Sequence, residues 1–361
     1  MSMPGIKPSP RLISAVIASV LLTTVLVGAA PIKTHAVESP KQGFNIITSP
    51  LPVKLSAKPG QTVQTELRMK NRGTEPELIK VGLMKFGATG ENGQPNLFDL
   101  TPRDNYSSWV SFSPSQFVAE PNVWKTVTMT INVPDDAELG YYMAVTFSRA
   151  NQTADKKSTN YKGAVATLVL LDAGGNANRD MELLSITATK KLYEYLPATF
   201  DIKLRNKGNI YISPTGNIFI EKGGKVVDTL NVNEAGGSVL PNSNRVFQVK
   251  WKNGFPVFED KIVDGKPVPG KNGLVQQLKW DIKNISEFRF GKYTAKLLVV
   301  YDNGTQDVPL ESQLTFWVIP WKILLVVLII VGLLGYGLFT FLRSALRKTK
   351  GGVGKIRGAK K

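Results

Sequence analysis

The feature that most limits the fold of this chain is period-two alternation of apolar and polar residues. Over residues 62–70, Val63, Thr65, Leu67 and Met69 fall on one face and Gln64, Glu66, Arg68 and Lys70 on the other. That is the pattern of a strand with one buried face. It recurs at Val127, Met129, Ile131 and Val133, at Phe200, Ile202 and Leu204, at Phe247, Val249 and Trp251, and at Tyr293, Ala295, Leu297 and Val299. Turn formers separate the runs: Pro59-Gly60, Asn71-Arg72-Gly73, the glycine-rich stretch 87–93 and Gly223-Gly224. Between the termini no long segment shows a helical period. Short strands broken by turns predict an all-β chain built of sandwiches.

A repeat divides the strands into two sets. Residues 68–73 (Arg-Met-Lys-Asn-Arg-Gly) match residues 203–208 (Lys-Leu-Arg-Asn-Lys-Gly) in residue type at every position. Gly140-Tyr141-Tyr142 and Gly291-Lys292-Tyr293 each open a late apolar strand. The Asn-basic-Gly turns read as strand ends where Asn and Gly tolerate positive φ. The Gly-x-Tyr elements read as buried rings with a backbone-bonded hydroxyl. Two immunoglobulin-like β-sandwich domains are expected, residues 43–172 and 181–316, with 173–180 as linker. Each is long enough to hold its own core. The second carries extra length, which the Pro/Gly/Lys-rich segment 253–279 can supply.

Two apolar segments bracket this region. Residues 12–27 follow Lys7 and Arg11 and lead to Thr34-His35-Ala36, which reads as a signal peptide over 1–36. Residues 323–342 hold no charged residue, enough as a helix to cross a bilayer core of roughly 30 Å. Trp317 and Trp321 flank it at the depth of an aromatic belt. Eight bases and no acid follow in the tail 343–361, which predicts a cytoplasmic C-terminus and an extracellular N-terminus. The tail also suits contact with anionic lipid. The formal charge of +17 shrinks to +5 within residues 37–321, so nucleic acid is not an expected partner.

The composition excludes several chemistries. There is no cysteine, and the only histidine, His35, falls in the expected signal. A mature chain of this kind builds no Ser-His-Asp triad, Cys-His dyad or His-ligated zinc site. Asp135, Asp136 and Glu138 are the best carboxylate cluster for glycan hydrolysis or calcium, but their Pro…Gly setting predicts a solvated turn. Glu259, Asp260 and Asp264 have a similar setting. No enzyme, cofactor or metal site is expected. For ligand binding the candidates are Tyr106, Trp109 and Phe112, aromatic residues in a Ser/Pro-rich stretch where rings can stack on sugars or anchor a protein.

The order of signal, two sandwiches, Phe316-Trp317-Val318-Ile319-Pro320-Trp321-Lys322 junction, helix and basic tail resembles the WxL-interacting proteins of bacterial cell surfaces. Residues 44–50 (Phe-Asn-Ile-Ile-Thr-Ser-Pro), Pro59-Gly60-Gln61-Thr62, residues 134–142 and Val239-Leu240-Pro241 add to the likeness. The resemblance implies a first domain that binds peptidoglycan and a second that binds host or partner proteins. The expected function is therefore a membrane-anchored surface protein that tethers cell-wall glycan or a surface protein. The alternative is an accessory subunit or assembly chaperone of an exported complex, acting by β-strand pairing.

Overall fold

The strands are laid down by the alternation and sorted by what their second face meets. A computed structural model describes residues 43–137, 139–150, 164–271 and 273–352, with side chains as far as Ser344. The expected signal 1–36 and residues 353–361 of the tail lie outside the described residues. In the first sandwich, β1 (Ile46–Ser49), β3 (Thr62–Asn71), β8 (Trp124–Asn132) and β6 (Val110–Ser113) form one antiparallel sheet in that order. The other sheet runs β2 (Val53–Ser56), β10 (Ala164–Asp172), β9 (Gly140–Arg149), β4 (Glu77–Ala88), β5 (Pro95–Phe98), with β7 (Gln116–Ala119) also on β4. Of these pairings β2 with β10 is parallel and the rest are antiparallel.

The second sandwich stacks β11 (Met181–Ala188), β13 (Ala198–Asn206) and β16 (Asn244–Trp251) against a five-stranded sheet. That sheet runs β12 (Leu192–Tyr193), β24 (Asp307–Val318), β23 (Gly291–Asp302), β14 (Thr215–Lys222), β15 (Lys225–Val232). Between β16 and β23 the chain inserts three small antiparallel pairs. They are β17 (Val257–Asp260) with β22 (Gln276–Lys279), β18 (Ile262–Val263) with β19 (Lys266–Pro267), and β20 (Pro269–Gly270) with β21 (Gly273–Leu274). Among the described residues the chain is all-β apart from short 3-10 turns and a C-terminal helix, α1 (Trp321–Gly352). That helix carries a span, Trp321–Ser344, long and apolar enough to cross a membrane. It runs on past the expected end at Leu342, into the basic tail.

The inward faces are those the alternation marks. Leu67, Met69, Val127, Met129 and Ile131 are fully buried in the first core, and Phe200, Ile202, Leu204, Trp251, Tyr293 and Val299 in the second. Each such side chain contributes about 1.5–3 kcal/mol by leaving water. In the second core Trp251 packs on Tyr293 at 5.1 Å and Phe200 on Phe316 at 5.3 Å, edge to face. The Trp251 Nε1–H donates to Asp228 at 2.8 Å, tying the end of β16 to β15.

One expectation changes on contact with the structure. The matched Asn-basic-Gly turns do not use positive φ, since none of these residues adopts it. Instead the asparagine is buried and bonded. The Asn71 amide donates to the carbonyls of Glu75 and Ala119, and its oxygen accepts from Gly73 N–H at 2.8 Å. The Asn206 amide donates to Ile210 and Val239, and its oxygen accepts from Gly208 N–H at 2.8 Å. The expected linker 173–180 is itself bonded to the residues around it. Ala173 N–H donates to Leu139 O, Arg179 pairs with Asp172 at 2.7 Å, and Asn178 N–H donates to Asn209 Oδ1 at 2.7 Å. The carbonyl of Asn178 approaches Gly208 so closely that a side chain there has no room.

The sandwiches also share a face. Strand β10 is apolar on both sides: Val169 and Leu171 enter the first core, while Leu168 and Leu170 turn outward with Met84, Phe86 and Ala144. Tyr142, Tyr211 and Leu240 cover this outer patch, the last two from the second sandwich. Tyr142 meets Tyr211 edge-on at 6.4 Å, and burial pushes both phenols up in pKa. Glu91 adds a polar clamp from the β4–β5 loop. Its carbonyl accepts from Val246 N–H at 2.7 Å, and its carboxylate accepts from Lys203 and Asn244, which hold it below its usual pKa.

Candidate functional site

The shared face does not close completely. A cavity of about 320 Å³ remains beside it, with apolar walls from Pro52, Phe86, Leu168, Leu170 and Leu240. One cation, Arg245, lines it, and a second, Lys54, is held beside it on the loop that forms its rim. On β2 the burial of Val53 leaves Lys54 pointing away from the first core. Its ammonium donates to Ser213 Oγ and to the Gly236 carbonyl, each at 2.8 Å. Near the start of β16, the Arg245 guanidinium donates to the Ser238 carbonyl at 2.7 Å and lies 5.0 Å over the Phe247 ring. Ser213 and Ser238 are themselves 2.8 Å apart, so both cations converge on the 233–240 loop.

Neither cation has a carboxylate partner among the described residues. Burial lowers the pKa of Lys54, and the charge on Arg245 lowers it further; burial also lowers that of Arg245. Two like charges held together without an acid constitute an anion site. Its apolar wall suits an anionic group carried on a hydrophobic body.

The cavity continues into a groove of about 610 Å³ between β15 and β16, and Arg245 and Ala235 border both. These two strands are the outer edges of their sheets. Because Val246 N–H bonds outward to Glu91, the alternation of an antiparallel ladder puts the amides of Gln248 and Lys250 on that same outer side. Such an edge accepts another strand.

The aromatic residues singled out from the sequence lie elsewhere. A 3-10 turn, Asn105–Trp109, folds Tyr106 into the first core and leaves Trp109 and Phe112 partly buried against it. Tyr141 completes the cluster, 5.6 Å from Tyr106 and 4.9 Å from Trp109. Burial first, and then the charge of Asp104, push Tyr106 up to about 12. These rings pack on one another and on the core. Asp135 and Asp136 sit on an exposed turn; Glu138 lies outside the described residues. Glu259 and Asp260 are exposed and engaged by Lys279 and Gln276.

Lys54 and Arg245 escaped sequence reasoning because each is an ordinary polar residue in an alternating strand. Only the docking of one sandwich on the other brings them together. The run 164–171, apolar except for Thr167, was the one available sign that β10 is covered on both faces.

No protein-family model matches the chain, and no curated protein matches it. Among solved structures it is similar to the class 5 fimbriae chaperone CfaA, at 17% identity and a TM-score of 0.33, covering 66% of this chain and 100% of the other. The E. coli chaperone DraB gives 11% identity and a TM-score of 0.33, covering 76% and 100%. The Pseudomonas aeruginosa chaperone CupB2 gives 11% and 0.30, covering 73% and 98%. Likeness at this level carries no argument about what the chain does. The functional reading rests on the chain's own geometry.

Proposed function

We propose that this chain is a non-enzymatic, single-pass membrane protein that holds an extended segment of an exported partner polypeptide, as an accessory subunit or assembly chaperone. The observation that carries the reading is the groove between two open strand edges that runs into a cleft with two unpaired cations. A partner segment pairs with β16 through the amides of Gln248 and Lys250 and sets an anionic group, such as a chain-terminal carboxylate, against Arg245 and Lys54. Backbone pairing gives affinity with little demand on the partner's sequence. The cationic end fixes register. The helix keeps the site at the outer membrane face, and the basic tail stays in the cytoplasm.

The test is photocrosslinking in the producing cells, from the intact chain carrying a photoreactive residue at Gln248 or, as control, at exposed Gln64 on β3 of the first sandwich. A protease-sensitive adduct at 248, absent at 64 and lost on adding R245E, is the expected result. An adduct sensitive to a muramidase would return the wall-glycan tether. No adduct at 248 would overturn the groove as the site.

A further inference from the structure

The insertion between β16 and β23 exposes apolar side chains at the end of the second sandwich from which the helix departs. Its 3-10 turn, Ile282–Glu287, buries no residue. Ile282 and Ile285, on either side of a kink at Asn284, are 74% and 62% exposed. Trp280 and Ile262 are exposed by 55% and 62%, and Phe290 is exposed as well. Solvated apolar surface of this kind marks a contact.

A chain of contacts places it beside the anchor. Strand β24 ends at Val318, opposite Gly291, so Phe290 lies next to the last rung before α1 begins at Trp321. On the other side Leu192 pairs with Trp317, both exposed. Lys322 in the first turn of the helix bonds Glu194 at 3.0 Å. The next two residues receive the insertion: Tyr195 packs on Phe258 at 5.8 Å, and Leu196 O accepts from Phe258 N–H at 2.8 Å. Phe255 then meets Trp280 at 5.8 Å, and its N–H donates to Glu287 O at 2.9 Å. From helix to 3-10 turn, each step is one side-chain contact or one strand spacing.

We propose that residues 253–290 form an apron that lies on the bilayer interface beside the helix, with Trp280, Ile282 and Ile285 at the boundary between headgroups and acyl chains. This rests on the membrane-anchored reading above. The occupant is lipid because the apron adjoins the point where an apolar span must enter a bilayer. Its six bases face five acids over residues 253–290, so the driving force is apolar burial rather than attraction to anionic lipid. The apron would fix the tilt of the ectodomain and the height of the groove above the membrane.

The chain has no native cysteine, so single-cysteine labelling is unambiguous. Full-length I285C, Q248C and L333C are each labelled with a fluorophore in nanodiscs of zwitterionic lipid, and quenching by lipid-borne nitroxides is read. The expected result is several-fold stronger quenching at 285 than at 248, deep quenching at 333, and no change at 285 in about 0.5 M salt, where surface charge is screened. Quenching at 333 without 285 would overturn the apron and leave the anchor standing. Absence of quenching at 333 would overturn both. Loss of the 285 signal in salt would overturn the apolar mechanism.

Discussion

Asn71 and Asn206 each close a strand end by satisfying two carbonyls and one amide from a buried position. Truncation to alanine strands those groups away from water, and one unmet buried partner costs about 1–3 kcal/mol. N71A and N206A are each expected to lose about 2–3 kcal/mol in denaturant titration of the full-length protein. A loss within error would contradict the bonding. Asp104 sets a second residue-level expectation. Its carboxylate accepts from Lys85 at 2.8 Å and from the Thr101 hydroxyl and amide at 2.6 Å each, which hold its pKa at about 2. A folded pKa below the unfolded value stabilises fully above the unfolded value of about 4 and loses that contribution as pH falls through about 2. The acid transition of the neighbouring Tyr106–Trp109 cluster, followed by fluorescence, is expected in that window and absent in D104N. A wild-type midpoint near pH 4 would contradict it.

At the scale of elements, alternation was legible wherever a strand has one wet face. The sets on β8, β13, β16 and β23 bury the residues their period marks, and on β3 Leu67 and Met69 are buried while Val63 and Thr65 are half-buried. Alternation is blind where both faces are dry, so β10 betrays its second partner only through an apolar run that Thr167 alone interrupts. The Asn-basic-Gly repeat was visible in the sequence, but its mechanism was not. Positive φ and a buried side-chain bond leave the same letters, and only the carbonyls of Ala119 and Val239, far along the chain, decide between them. The same distance problem hid the site. Tyr106, Trp109 and Phe112 looked like loop aromatics because Tyr141, which meets two of them edge to face, is over thirty residues away. Lys54 and Arg245 come from different sandwiches, and no local pattern joins them.

On the scale of the whole molecule, three surfaces line up along one chain. The shared face of Phe86, Leu170, Tyr142 and Tyr211 joins the sandwiches, and Glu91 clamps the first strand edge it reaches. Past that clamp the β16 edge is free, flanked by β15 and headed by the two cations. At the far end the apron and α1 would present this groove at a set distance from the bilayer. The role of the groove turns on whether the β16 edge pairs with another chain. The most direct measurement is amide hydrogen exchange of the full-length protein, free and carrying its crosslinked partner. Slowed exchange of the Gln248 and Lys250 amides in the complex, with the amides of β1 unchanged, is the predicted result. Equal exchange at 248 and 250 in both states would contradict strand pairing.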